Sequence, residues 1–116
     1  MSETNCLFCR ITAGEIPAVC VYEDESCIAF RDINPQAPTH VLVIPRKHIA
    51  SIKDMSTEDE NTLGHLLYIC GEIARRENIA DSGFRTVFNT GTGAGQTVFH
   101  IHAHIIGGRT LSWPPG

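Results

Sequence analysis

Apolar and polar residues alternate through residues 97–106, and this alternation is typical of a half-buried β-strand. Successive side chains of a strand point to opposite faces. We therefore expect one face to bury the apolar members of the segment, Phe99, Ile101, Ala103 and Ile105. The opposite face would carry three histidines in one row, His100, His102 and His104.

The remaining pattern predicts four more strands and two helices. Strands are expected at residues 19–22, 27–30, 40–45 and 84–89. A short helix should run near residues 6–12 with Thr4 or Asn5 as N-cap, and a long one from residue 55 to 77 with Thr57 and Glu60 as capping box. Its core stripe would consist of Leu63, Leu66, Leu67, Cys70, Ile73 and Ala74. His65 lies off this stripe, which predicts a surface histidine.

The order of these elements indicates the fold class. Strands and helices do not alternate as βαβ units, so an α+β fold with a five-stranded antiparallel sheet and helices on one face is favoured. The 116 residues are expected to form a single domain, 1–116.

Composition and charge narrow the class of partner. The net charge of −4 argues against a large nucleic-acid footprint, which needs a basic face. The contents of 42% hydrophobic and 19% charged residues are those of an ordinary globular protein. No segment is long and apolar enough to suggest a membrane span or a signal peptide. Five cysteines without an export signal favour a reducing cytoplasm over a disulfide framework.

A glycine-rich loop immediately precedes the histidines. Three glycines within residues 91–95 let the backbone approach a ligand, and successive N–H groups in such a loop can bind an anion. The central His102 could attack phosphorus while the flanking imidazoles carry protons. A metal centre made by all three histidines is disfavoured, because the outer two would lie about 13 Å apart on a regular strand. His40 is a fourth candidate for the cluster.

The residues His100–Ile106 fit the histidine-triad signature of alternating histidine and apolar positions. The chain resembles the branch of this superfamily called histidine-triad nucleotide-binding (HINT) proteins or purine nucleoside phosphoramidases. The resemblance covers nearly the whole chain and includes Gly14–Pro17, Asp32–Ile33, Pro35–His40, Gly95–Gln96, Gly107–Arg109 and Trp113–Gly116.

The resemblance implies a homodimer with one continuous ten-stranded sheet, and hydrolysis of nucleoside phosphoramidates or aminoacyl-adenylates to AMP or GMP. By similarity His102 is the nucleophile, assisted by His104 and His100, and His40 completes the cluster. The residues that would surround the nucleotide are Asp32, Ile33, Asn89, Gly95, Gln96, Thr97 and Trp113. Asp32 would bind the ribose, and Trp113 would reach the partner subunit's site. Thr97 stands where many relatives have serine, which adds a methyl group near the phosphate.

The pair Cys6 and Cys9 has the spacing of metal ligands but, taken alone, can also be two buried thiols. In other histidine-triad proteins such a pair binds zinc with histidines at the positions of His48 and His100, so the resemblance implies a structural zinc site and no cofactor in catalysis. Three alternatives stay open: a nucleotide-binding regulatory protein with little catalysis, a metal-dependent hydrolase, and a dinucleoside polyphosphate hydrolase.

Overall fold

The computed structural model describes residues 5–116, which form one antiparallel sheet with a helix on each face. The strands are β1 (Cys20–Glu23), β2 (Cys27–Arg31), β3 (Thr39–Pro45), β4 (Phe84–Val87) and β5 (Ala103–Gly107). The helices are α1 (Leu7–Thr12) and α2 (Glu60–Arg76), and three short 3₁₀ turns span Ile52–Asp54, Thr57–Asp59 and Thr92–Ala94. The strand order is β1-β2-β3-β5-β4, and all neighbours are antiparallel, which confirms the predicted α+β fold and sheet.

The two helices lie on opposite faces of the sheet, so the expectation of helices on one face was wrong. In β2, Cys27 and Ala29 pack in the cluster that contains α2, whereas Ile28 and Phe30 pack in the cluster that contains Phe8 of α1. The physical reason is that the central strands are apolar at successive positions, and all seven residues of β3 are buried. Both faces therefore need a cover.

Helix α1 begins one residue later than predicted. Its N-cap is Cys6, whose Sγ accepts a hydrogen bond from the backbone N–H of Cys9 at 3.3 Å. Asn5 is therefore not the cap, and Thr4 lies outside the described residues.

Helix α2 buries a stripe that differs from the predicted one at three positions, the first of which is Leu63, a half-buried residue that does not belong to the buried set. Its buried residues are Leu66, Ile69, Cys70, Ile73 and Ala74. Leu67 is 49% exposed, so its assignment to the core was wrong, and Ile69 was missed. The capping box is formed by Ser56 and Asp59, one residue before the predicted pair, because a 3₁₀ turn precedes the helix. Among the described residues, none of the helices is long and apolar enough to cross a membrane.

His65 of α2 is not a simple surface histidine. Its Nε2 lies 2.7 Å from Asp24 Oδ2 in the β1–β2 turn, and Tyr22 Oη donates to the same carboxylate at 2.8 Å. Burial alone would raise the pKa of Asp24, but these two side chains and two backbone N–H groups hold it well below its usual range. The ionised carboxylate therefore joins the hairpin turn to the helix.

The predicted fifth strand is only half a strand. Residues 97–102 are irregular, and β5 begins at Ala103, opposite Val43. The hydrogen-bonded ladder between β3 and β5 ends at the pair Val43–Ala103, two residues before Pro45, which has no N–H to donate. The carbonyl of Pro45 instead lies 2.7 Å from His100 Nε2, and Ile101 N–H donates to the carbonyl of Ile49.

Candidate active site

His100, His102 and His104 lie on the α1 side of the sheet, although only His104 belongs to a strand. Ile101, Ala103 and Ile105 are buried as predicted, but Phe99 is 45% exposed, so its place in the core was predicted wrongly. The rings of His102 and His104 are tilted against each other with their centroids 4.9 Å apart.

The hydrogen bonds of His102 determine which of its nitrogens can react. Nδ1 lies 2.8 Å from the backbone carbonyl of His100, an acceptor only, so Nδ1 must carry the proton. Nε2 of the neutral ring is then an unprotonated base. Burial lowers the pKa of His102 below its ordinary value, which keeps the ring neutral near pH 7. His102 therefore has the tautomer and the charge of a nucleophile.

A chain of hydrogen bonds determines the tautomer of His104 in the same way. The backbone N–H of Gln36 donates to His40 Nδ1 at 3.0 Å, so the proton of neutral His40 is on Nε2. This Nε2 lies 2.9 Å from His104 Nδ1 and donates to it. Neutral His104 consequently carries its proton on Nε2 and is a donor there. Burial, with His102 and His40 nearby, lowers the pKa of His104 to about 4.

An apolar cavity of about 360 Å³ opens beside His102 and His104. Five of the predicted site residues line it, namely Asp32, Ile33, Thr97, His102 and His104. Its other walls, which the sequence analysis did not assign to the site, include Phe8, Ile11, Ile16, Phe30, Leu42 and Val98. The apolar i, i+3 spacing of Phe8 and Ile11 on α1 is the signal that could have identified part of this wall.

Asp32 is the carboxylate of this mainly apolar pocket, which is also lined by Arg31, Thr97 and the two histidines. Its Oδ1 accepts from the backbone N–H of Asn34 at 2.8 Å, and its Oδ2 lies 3.4 Å from His40 Nε2. Ile33 beside it is 99% exposed, which is unusual for so apolar a side chain. A few positioned polar groups on apolar walls are typical of small-molecule sites.

Four N–H groups of the glycine-rich loop are used in hydrogen bonds within the loop itself. The N–H groups of Ala94, Gly95 and Gln96 donate to carbonyls within the loop, and that of Gly91 donates to Gln96 Oε1 at 2.8 Å. Gln96 Nε2 donates to the carbonyls of Ala50 and Val98, and the side chain is buried. The side chain of Gln96 therefore shapes the loop, and the predicted place of Gln96 beside the phosphate stays a prediction.

Three other predicted nucleotide contacts lie outside the cavity wall in the described chain. Asn89 and Gly95 are outside the set of residues that line it. Trp113 is 83% exposed and also lies outside that set.

Cys6, Cys9, His48 and His100 converge into one cluster, with ligand atoms all within 4.8 Å of one another. His100 Nδ1 lies 3.3 Å from Cys6 Sγ and 3.5 Å from Cys9 Sγ, and His48 Nδ1 lies 3.3 Å from Cys9 Sγ. His100 Nε2–H donates to the Pro45 carbonyl, which leaves Nδ1 as the lone-pair nitrogen facing the sulfurs. Two thiols and two imidazoles are a closed structural zinc set, so these residues fit the ion.

Two further groups have metal-ligand chemistry. Asp32, His40 and His104 hold their ligand atoms within 4.8 Å of one another in the active-site region. Asp24, Cys27 and His65 do the same near the β1–β2 turn, where burial raises the pKa of Cys27 to about 12. Among residues 5–116, His100 and His104 fall into different groups, so the three histidines of the row do not share one site.

Comparison with known proteins gives a consistent set of relatives. The model of the HIT domain matches residues 13–111. An uncharacterized HIT-like protein of Synechococcus elongatus is 52% identical over 116 residues, which is 100% of both chains. The crystal structure of a HIT family hydrolase from Legionella pneumophila is 53% identical, with a TM-score of 0.95 over 97% of this chain and 100% of that one. A histidine triad nucleotide-binding protein from Candida albicans is 29% identical, with a TM-score of 0.81 over 95% of this chain and 83% of that one.

Proposed function

The chain belongs to the HIT domain family, and we propose that it is a purine nucleoside phosphoramidase and aminoacyl-adenylate hydrolase. It would release AMP or GMP and an amine or amino acid. The observation that carries this proposal is the tautomer of His102. Nδ1–H is held by the His100 carbonyl, and the unprotonated Nε2 belongs to a ring that lines the cavity.

The cavity suits a nucleoside monophosphate. Its apolar walls and exposed Ile33 would contact the base, and the Asp32 carboxylate would accept hydrogen bonds from ribose hydroxyls. Thr97 lines the same cavity as His102 and His104, so its hydroxyl is available to a phosphoryl oxygen. Apolar walls discriminate weakly between adenine and guanine, which is consistent with a purine substrate class.

Bond cleavage would proceed in two steps. His102 Nε2 attacks phosphorus, the P–N or P–O bond to the leaving group breaks, and the His100 carbonyl stabilises the positive charge on the nucleotidylated ring. The bound phosphoryl anion favours a proton on His104, which passes to a departing amine. Water then attacks phosphorus, gives a proton to His104, and releases the monophosphate from His102.

We further propose that no metal ion takes part in this chemistry. Cys6, Cys9, His48 and His100 would hold a structural zinc that ties α1 to the sheet, since a Cys₂His₂ set leaves no open position for water. The set made by Asp32, His40 and His104 is the observation that favours a metal-dependent alternative. Turnover that persists during exhaustive chelation would exclude that alternative.

Dimerisation is also part of the proposal. β4 ends the sheet, so its free edge can pair with β4 of a second copy and continue the sheet to ten strands. Trp113 would then reach the partner subunit's site and shape its leaving-group pocket. Sedimentation equilibrium would show whether the wild-type protein and the Trp113→Ala variant are dimers.

The decisive experiment is intact-mass spectrometry of protein quenched rapidly during reaction with an adenosine phosphoramidate under chelator. We expect a transient adenylate adduct in wild type and none in His102→Ala, which should still bind AMP. His65→Gln is the matched histidine control and should form the adduct. AMP binding without turnover would instead favour a nucleotide-binding regulatory protein. Faster cleavage of a dinucleoside polyphosphate would favour that branch of hydrolases.

A further inference from the structure

We propose that Cys6 and Cys9 form an oxidisable dithiol whose state governs the orientation of His102, so that peroxide switches the site off reversibly. This inference rests on the proposed nucleophilic role of His102. Its physical basis is that two of the contacts of the His102 ring are made by residues next to this dithiol, namely the carbonyl of His100 and the ring of Phe8.

The two thiols are placed for disulfide formation. Cys6 and Cys9 lie three residues apart at the start of α1, the spacing of thiol–disulfide oxidoreductase motifs. Both sulfurs approach the same atom, His100 Nδ1, at 3.3 and 3.5 Å, and the Cys9 N–H donates to Cys6 Sγ. The sulfurs therefore already lie within 4.8 Å of each other.

Solvent reaches Cys6 but not the other buried cysteines. A cavity of about 430 Å³ is lined by Asn5, Cys6, Leu7, His48 and residues 97–99, and Cys6 is 9% exposed. Cys27 and Cys70 are at most 1% exposed, and burial raises their pKa values to about 12 and 11. These two thiols are inert internal references, and exposed Cys20 lies on β1.

The oxidation balances with hydrogen peroxide as oxidant. The Cys6 sulfur attacks the O–O bond, an S–O bond forms, and hydroxide leaves as water with the thiol proton. The Cys9 sulfur then attacks Cys6, the S–S bond forms, the S–O bond breaks, and a second water leaves with the Cys9 proton. Two thiols and one peroxide give one disulfide and two waters, and a dithiol reductant reverses the reaction.

Disulfide formation would affect His102 through two contacts. His100, whose side chain faces both sulfurs, supplies the carbonyl that holds His102 Nδ1–H at 2.8 Å. Phe8 lies between the two cysteines in sequence, and its ring meets the His102 ring edge-on with centroids 5.0 Å apart. Drawing the sulfurs to a bond of about 2.05 Å rearranges the turn that carries Phe8 and removes both sulfur partners of His100 Nδ1.

A metal ion on the cluster would oppose this switch. Thiolates that ligate an ion react more slowly with peroxide, and their oxidation removes two of the four ligands. The metal-loaded form should therefore oxidise more slowly than the metal-free form, and it should release the ion when it does.

The test uses full-length protein in a Cys20→Ser background, prepared metal-free and zinc-loaded and then treated with hydrogen peroxide. Peptide mass spectrometry reports the Cys6–Cys9 disulfide, a chromogenic zinc indicator reports ion release, and NMR of the imidazole nitrogens reports His102. We expect disulfide formation, a shifted His102 resonance and a fall in phosphoramidate turnover of up to about 100-fold, the cost of a misplaced reacting group. A dithiol reductant should break the disulfide and restore both the His102 resonance and the turnover.

Cys6→Ser keeps an N-cap oxygen for the Cys9 N–H and should lose the peroxide response. The proposal is overturned if the disulfide does not form, or if it forms while the His102 resonance stays unchanged. Because that resonance does not depend on turnover, absence of phosphoramidase activity with an intact NMR response would refute the proposed function alone.

Discussion

His40 offers a sharp test of the tautomer argument, because its two ring nitrogens have different tasks. Nδ1 accepts from Gln36 N–H at 3.0 Å, and Nε2–H donates to His104 Nδ1 at 2.9 Å. Asparagine places an amide atom near the Nδ1 position, and glutamine places one near Nε2. His40→Asn should therefore keep the Gln36 bond and lose the His104 bond, and His40→Gln should do the reverse.

The expected effect on activity follows from one hydrogen bond. Without a donor at its Nδ1, His104 can move its proton to that nitrogen and lose the donor at Nε2. A net hydrogen bond is worth about 0.5–1.5 kcal/mol, which corresponds to a fall of about 2- to 13-fold in kcat/KM for His40→Asn. His40→Gln keeps that donor and should stay close to wild type in kcat/KM, while losing about 1 kcal/mol of stability at the Gln36 N–H.

The assay is steady-state hydrolysis of an adenosine phosphoramidate, paired with urea unfolding and NMR of the His104 ring nitrogens. His40→Asn should be the less active variant and should show a mixed His104 tautomer. Equal kcat/KM values for the two variants, or a lower value for His40→Gln, would refute the reasoning.

Three more outcomes are expected. Because burial lowers the pKa of His102, kcat/KM should hold as pH falls through about 6.5, the ordinary value, and decline only below it; an acid limb at or above 6.5 in a pH–rate profile would contradict this. Leu66→Ala should lower the free energy of unfolding in urea by about 2–5 kcal/mol, because Leu66 is buried. The same change at its exposed neighbour, Leu67→Ala, should lower it by less than about 1 kcal/mol. Asp24→Asn should lose about 1–2 kcal/mol at pH 7 through its partly exposed contact with His65. The lowered pKa of Asp24 places its contribution above about pH 4, so the difference should shrink below that pH, and a pH-independent difference would argue against a charge effect.

Elements with a strong local pattern were predictable from the sequence. β3 is apolar from Val41 to Pro45 and is the central strand, and the acidic turn between β1 and β2 forms the predicted hairpin. The strand predicted for the histidine segment was too long. Apolar and polar residues alternate through residues 97–102, but the hydrogen-bonded ladder with β3 includes only residues from Ala103 onward. The boundary depends on a partner strand that lies over fifty residues earlier in the chain.

The candidate site likewise has residues that could be predicted from the sequence and contacts that could not. The identities of His102, His104 and His40, and the pairing of two cysteines with two histidines, were inferred from spacing and family resemblance, and the fold brings these residues into contact. The hydrogen bonds of the loop at residues 91–96 could not be predicted from its glycines, since only the folded geometry shows that four of its N–H groups bond to its own carbonyls and to the Gln96 side chain.

The sequence by itself determined the inventory: which segments contain the strands, which helix is long, and which residues can carry chemistry. These are properties of local pattern, since side-chain type and chain period decide burial and propensity. Only the tertiary structure decided that α1 covers the second face and brings Phe8 against His102, and which nitrogen of each histidine holds the proton. Those outcomes depend on atoms distant in sequence, the His100 carbonyl and the Gln36 N–H among them, whose positions exist only after the chain has packed.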